Sequence, residues 1–178
     1  SAASDVYKRQ ALRIMGDQQW DVADASNTLT ISGALQGSGN VSIVGAGTTT
    51  LSGTADSTLF NGEGTSNFTV TNGTLIDTNG EALGAGDRVA QITIGAGGAY
   101  YATTGSPDNA IELAGGSLSL GNANRTYDGV ITTTADSILN TRENNASDTT
   151  VEGRTMTFRS AITGSNTLTI QGLSLIHN

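Results

Sequence analysis

At 178 residues the chain is long enough for one domain with a real core. It holds 24 Gly against one Pro and no Cys, and its formal net charge is −8. That acidity argues against a nucleic-acid or anionic-membrane partner, which clustered Lys and Arg would have to hold, and no run approaches the ~20 apolar residues of a membrane helix.

The ends read differently from the middle. Residues 1–10, SAASDVYKRQ, match a read-through translation of a transposon-library sequencing adapter. Residues 173–177, LSLIH, match the reverse complement of the same transposon end. Setting residues 1–10 and 173–178 aside as adapter-derived leaves 11–172 as the natural piece of a metagenomic fragment, cut at both ends. The natural piece holds six Arg against fifteen Asp plus Glu, a net charge of −9. It has no Lys, His or Cys, because Lys8 and His177 fall in the ends.

Short apolar groups then recur along the chain. In order they are Thr28-Leu29-Thr30-Ile31, Val41-Ser42-Ile43, Phe68-Thr69-Val70, Ile92-Thr93-Ile94, Ile111-Glu112-Leu113, Leu118-Ser119-Leu120, Met156-Thr157-Phe158 and Leu168-Thr169-Ile170. Period-two alternation puts the aliphatics on one face of a strand and the hydroxyls on the other. β-branched residues suit that geometry, and Gly-Asn-Ser-Asp clusters between the groups supply turns. Pro107 lies in Thr104-Gly105-Ser106-Pro107-Asp108-Asn109, a predicted turn or excursion, since proline cannot donate to a central ladder. No stretch carries a helical period.

Two internal matches follow. Residues 28–45 (TLTISGALQGSGNVSIVG) align without gaps on residues 155–172 (TMTFRSAITGSNTLTIQG) at an offset of 127, with seven of eighteen positions identical. Residues 54–59 (TADSTL) match residues 134–139 (TADSIL) at an offset of 80. Both offsets fit a unit of about 20 residues, short for a solenoid repeat and too short for a strand-helix-strand unit. The expectation is an all-β, single-stranded parallel β-helix of about 20 residues per coil, with about eight rungs of about 4.8 Å each. As an uncapped fragment it should expose unpaired strand edges and open core at both ends, inviting aggregation or fraying.

With the repeats placed, a family resemblance emerges. Residues 27–53, NTLTISGALQGSGNVSIVGAGTTTLSG, resemble the autotransporter-associated β-strand repeat, most closely at GAGTTTLSG, residues 45–53. Residues 67–76, NFTVTNGTLI, and residues 155–172 resemble further parts of it. Residues 80–101 and 142–154 depart from the pattern and read as irregular rungs or insertions. The resemblance implies a right-handed β-helical passenger of a bacterial autotransporter, extracellular or held at the cell surface by a C-terminal outer-membrane barrel outside this fragment. It implies host or neighbouring-cell surfaces, or glycans, as partners of the parent protein, and no single activity.

Catalytic candidates are few. Without His, Cys or Lys, the natural piece has no Ser-His-Asp or Cys-His constellation, no imidazole metal site and no Schiff-base chemistry. Carboxylates remain. Asp21 and Asp24 are neighbours in sequence, and Arg142, Glu143, Asp148, Glu152 and Arg154 form the densest charged patch, read as a solvated loop. Gly84-Ala85-Gly86-Asp87 and Gly105-Ser106-Pro107-Asp108 echo a calcium nonapeptide only weakly and read as turns. Gly95-Ala96-Gly97-Gly98 lacks the Lys and the following helix of a phosphate loop. Trp20, Phe68, Tyr100, Tyr101 and Tyr127 are candidates for a carbohydrate-stacking surface, with core packing the default. Asn40, Asn67, Asn72, Asn124 and Asn145 head Asn-x-Ser/Thr sequons, as composition alone predicts. No catalytic, cofactor or metal residue is assigned. The functional expectation is a non-catalytic structural or adhesive segment. A polysaccharide-active β-helix enzyme and a phage tail-fibre or tailspike segment are the alternatives.

Overall fold

The computed structural model describes residues 6–8, 11–53, 66–85, 88–121, 123–143 and 154–172. Every regular element among them is a strand. In chain order they begin with β1 (Val6–Lys8), β2 (Leu12–Ile14), β3 (Gln18–Asp21), β4 (Thr28–Ile31), β5 (Leu35–Gly37), β6 (Val41–Val44) and β7 (Thr48–Leu51). The middle holds β8 (Asn67–Asp77), β9 (Gly84–Ala85), β10 (Arg88–Val89), β11 (Gln91–Ala102), β12 (Ile111–Ala114) and β13 (Ser117–Leu120). The last are β14 (Arg125–Tyr127), β15 (Ile131–Ala135), β16 (Ser137–Glu143), β17 (Met156–Phe158), β18 (Ile162–Gly164) and β19 (Leu168–Gln171). All eight alternating groups of the sequence lie in strands.

Pairing between these strands is parallel except in the β9–β10 hairpin, and one isolated antiparallel bridge joins Gly95 to Gly115. Three ladders result. The first runs β1, β4, β7, β8, β11, β13, β16, β19. The second runs β3, β6, β8, β11, β12, β15, β18. Two further pairs, β2 with β5 and β14 with β17, are separate two-stranded sheets, grouped as a third ladder by their place in chain order between strands of the first and the second. Strands β8 and β11 are long because each passes from the second ladder straight into the first, turning at Gly73 (φ +73°) in β8 and through a register shift between Ile94 and Gly97 in β11. Elsewhere the chain visits the first, third and second ladders in rotation, as from β1 to β6 and from β13 to β18.

Register turns the alternation into continuous inward columns. In the second ladder Val41, Phe68, Ile92, Ile111, Ile131 and Ile162 stand one above another, beside Trp20, Ile43, Val70, Ile94, Leu113 and Thr133. In the first ladder the column is Leu29, Thr49, Leu75, Tyr100, Leu118, Leu139 and Ile170. Phe68, Val70, Ile92, Ile94, Tyr100 and Leu118 are fully buried. Burying such side chains contributes about 1.5–3 kcal/mol each. Trp20 adds an edge-on contact to Phe68, with ring centroids 6.0 Å apart.

Several expectations are corrected. The ladder step is not a uniform 20 residues. Thr28 to Thr48 and Ile111 to Ile131 are 20 positions, but Tyr100 to Leu118 is 18 and Ile131 to Ile162 is 31. The 127-residue match is likewise not a whole number of units. It lays β4, β5 and β6 on β17, β18 and β19, so each strand aligns with one from a different ladder. What the match preserves is the corner: Gly37 and Gly164 both have positive φ (102° and 124°), as do Gly45 and Gly172 (86° and 89°). A side chain at Gly37 would also collide with the Ile14 carbonyl. Of residues 80–101, expected to be irregular, 91–101 lie in β11 and pair with β8 on both sides of a register shift between Ile94 and Gly97. Residues 54–59 lie outside the described residues. Of the adapter-like ends, Val6–Lys8 forms β1 beside β4, and the rest is outside the described residues.

The two ends also differ. In the first rung Ile14, Trp20 and Val22 are buried. In the last, Ile162 is 40% and Ile170 53% exposed. Open core is therefore found at the C-terminal end alone among the described residues.

Candidate functional site

The outward face of the second ladder carries a connected polar strip. Asp17 Oδ1 accepts from the Asn40 backbone N–H (3.2 Å) and side-chain amide (3.0 Å). Asn40 Oδ1 accepts from the Asn67 N–H (3.0 Å), and the Asn67 amide donates to Thr93 Oγ1 (3.2 Å). Glu112 accepts from Thr93 (3.5 Å) and, on its other oxygen, from Thr134 (3.0 Å). The strip exists because parallel register brings the outward residue of each strand over the one before it: Ser42, Thr69, Thr93, Glu112, Thr132 and Thr163 form one column. Glu112 is the one carboxylate in that column. It borders a shallow cavity of about 260 Å³ with Gln91, Ala110, Val130, Thr132 and Thr134. The sequence reading passed over Glu112. The available signal was a charged residue at an outward position between Ile111 and Leu113.

Inside, polar groups gather where the first ladder passes β7, β8 and β11. Asp77 is fully buried; its Oδ1 accepts from the N–H groups of Asn79 (2.8 Å) and Gly80 (2.7 Å). Burial pushes this carboxyl above its ordinary range, and the Asn79 and Gly80 amides, with a weaker pull from the Ala82 backbone, partly offset that. Asp77 Oδ2, Thr49 Oγ1 and Tyr100 OH are all buried without a protein hydrogen-bond partner. Burial, with the Asp77 charge as a lesser cause, holds the Tyr100 phenol well above its usual value. Tyr127 is raised chiefly by burial, and its hydroxyl donates to the Ser119 carbonyl at 3.1 Å. Buried Asn109, just before β12, donates to the Leu83 and Ala90 carbonyls (3.0 and 2.9 Å) and so ties three chain segments together.

The sequence candidates do not converge. Asp21 is exposed at the end of β3. Asp24 is exposed and accepts from the Ser26 N–H (2.8 Å) and hydroxyl (2.7 Å), which hold its carboxyl below the ordinary value in a local turn. Arg154 is half-buried and donates to the Gly121 carbonyl at 3.3 Å. Asp148, Glu152, Asn145, Gly86 and Asp87, and the side chains of Arg142 and Glu143, lie outside the described residues. Asp108 is half-buried beside buried Pro107, whose carbonyl accepts from the Asp128 N–H at 2.9 Å. Among the described residues no three acidic side chains meet in a way that would hold a metal ion.

The aromatics pack as core rather than as a stacking surface. Trp20, Phe68, Tyr100 and Tyr127 are buried, and Tyr101 alone faces outward, half-buried. Gly97 and Gly98 line an open groove of about 330 Å³ with Asn72, Gly73, Gly115 and Gly116, within β-structure and with no helix following among the described residues. Asn40 and Asn67 belong to the polar strip, Asn72 Oδ1 accepts from the Gly73 N–H (3.0 Å), and Asn124 Oδ1 from the Thr155 N–H (2.8 Å). Comparison with protein-family models, with curated proteins and with solved structures finds no match.

Proposed function

We propose that the chain is a right-handed parallel β-helix serving as a rigid structural or adhesive wall in a secreted or surface-exposed autotransporter-like protein, with no catalytic role of its own. The observation that carries this reading is the rotation of the chain through three parallel ladders whose inward columns share one apolar interior. Right-handedness follows the strong preference of parallel crossover connections. A stack of this kind is stiff along its axis, since each rung is held by the rungs above and below. The outward Ser, Thr and Asn strip keeps the wall hydrated and offers hydrogen-bonding groups to glycans or to a neighbouring cell surface. The dispersal of Asp21, Asp24, Asp77 and Glu112 favours a wall over a polysaccharide-cleaving face, which needs paired carboxylates flanking one bond. A passenger must cross a membrane unfolded, and a chain without Cys does so without cross-links.

Surface display tests the reading. The chain is placed between an export signal and an autotransporter barrel in a Gram-negative host. The expected result is a folded, protease-resistant passenger on the outer surface, accessible to antibody in intact cells. Retention in the periplasm with an otherwise functional barrel would refute it.

A further inference from the structure

We infer that Asn72-Gly73, at the corner of β8, is a self-modifying site, where the Gly73 nitrogen closes on the Asn72 side chain, ammonia leaves, and water opens the ring to aspartate or isoaspartate. The bond from the Gly73 nitrogen to Asn72 Cγ forms and the Cγ–NH2 bond breaks. The proton of the Gly73 N–H departs with the leaving nitrogen as ammonia. Water then adds to either ring carbonyl. Addition at Cγ returns the ordinary backbone with aspartate; addition at the main-chain carbonyl leaves the chain running through the side chain, as isoaspartate.

The sequence holds three Asn-Gly pairs, Asn61-Gly62, Asn72-Gly73 and Asn79-Gly80, of which the first lies outside the described residues. Asn72 is exposed, and its Oδ1 accepts from the Gly73 N–H at 3.0 Å. The side chain is thus folded back on the nitrogen that attacks it, with Cγ one C=O bond, about 1.2 Å, behind the accepting oxygen. Holding two reacting groups together in this way removes the entropic cost of their encounter. Gly73 has φ +73° and no Cβ to screen its nitrogen. Across the ladder Asn72 faces Gly97, where a Cβ would lie 2.8 Å from Asn72 Oδ1, so the second glycine gives the side chain its room. Asn72 and Gly73 both border the open groove of about 330 Å³, which admits water and releases ammonia.

Asn79-Gly80 shares the left-handed glycine, at φ +78°, but is guarded. Gly80 is buried, and its N–H donates to Asp77 Oδ1 at 2.7 Å. Ring closure there would strip the nitrogen of the proton that the Asp77 oxygen holds. The same oxygen accepts from the Asn79 N–H at 2.8 Å, which fixes the backbone on the other side of the Asn79 side chain. The two pairs therefore differ in what the glycine N–H bonds: its own Asn in one, a buried carboxyl in the other. Modification at Asn72 falls where β8 and β11 pair on both sides of a register shift. Isoaspartate lengthens the backbone there by one carbon, and aspartate adds a negative charge to the groove. None of this depends on the surface-passenger reading.

Peptide mapping by mass spectrometry, on the full chain held at mildly alkaline pH, tests the site directly. In the native chain Asn72 should convert at least about tenfold faster than Asn79, to both aspartate and isoaspartate. In guanidinium, where the Asp77 contact is lost, the two rates should converge. Asp77→Ala should raise the Asn79 rate at least about tenfold in the folded chain and leave the Asn72 rate unchanged. Should that variant fail to fold, the comparison of native with denatured chain decides alone. Asn72 no faster than Asn79 in the native chain, a gap of that size persisting in guanidinium, or a folded Asp77→Ala chain with Asn79 as slow as before would each overturn the inference.

Discussion

Ile111→Ala probes whether the inward columns form one shared interior. Ile111 is 2% exposed and lies between Ile92 and Ile131 in the second ladder. The substitution removes three buried carbons, which at about 0.8 kcal/mol each is about 2.4 kcal/mol of transfer free energy. The rungs above and below hold the backbone at fixed spacing, so the space cannot collapse fully and a cavity term adds to this. The expected total is about 3–4 kcal/mol. Ile162→Ala removes the same atoms from the same column, but at 40% exposure and at the open end. Its expected cost is about 1.4 kcal/mol, the buried share of the transfer term without a cavity. Urea denaturation of both variants, at concentrations too low for association, reads the difference. Equal costs would refute the reasoning, because they would mean that Ile111 is not enclosed between its column neighbours.

Three further predictions concern polar groups and one corner. Burial raises the Asp77 carboxyl's pKa in the fold, so its contribution is favourable below the unfolded-state value of about 3.9 and is lost as pH rises through the higher folded value. Asp77→Asn, which keeps an oxygen for the Asn79 and Gly80 amides, should therefore raise the melting temperature at neutral pH, with the advantage shrinking toward pH 3; an advantage that grows on acidification would contradict it. Gly37→Ala places a side chain at φ +102° and against the Ile14 carbonyl, and should cost about 1–3 kcal/mol in chemical denaturation. Asn109→Ala strips two donors from the buried carbonyls of Leu83 and Ala90 and should cost about 2–3 kcal/mol, with faster amide exchange at Ala90, whose N–H bonds the Leu83 carbonyl.

What could be read from the sequence followed from period and chemistry acting locally. Ile92-Thr93-Ile94 or Val41-Ser42-Ile43 can satisfy its alternation only as a half-buried strand, and each is one. Parallel pairing was legible at one remove, from the repeats. The length of the repeat was not, because a ladder constrains only where each strand lands. The connection between two strands of a ladder is free to be 18 residues or 31, as between Tyr100 and Leu118 or between Ile131 and Ile162. Buried polar residues were illegible for a different reason. Asp77-Thr78-Asn79-Gly80 has the form of an Asx turn, and such turns usually sit in solvent. Only the tertiary register, which sets Asp77 between Leu51 and Ala102, puts this one inside.

The displaced repeat carries the same lesson further. If residues 28–45 and 155–172 were copies of a whole coil, equivalent strands would fall in the same ladder. They fall one ladder apart, yet the glycines at both corners keep their left-handed backbone. The conserved unit is therefore a strand-corner-strand-corner-strand segment with no preferred position around the stack. This requires the three faces to be nearly interchangeable in strand length and corner geometry. Such interchangeability is what allows a rung built like the second to stand at the tail, and it predicts that exchanging residues 28–45 for 155–172 should preserve the parallel stack. The position that tests this is the third residue of the segment's second strand, where Gly37 and Gly164 already agree. Met156 and Phe158 in place of Leu29 and Ile31 are larger and would have to be absorbed by the interior beside Thr49 and Leu51. A swap that unfolds the chain even with Leu29 and Ile31 restored would show that the faces are not equivalent.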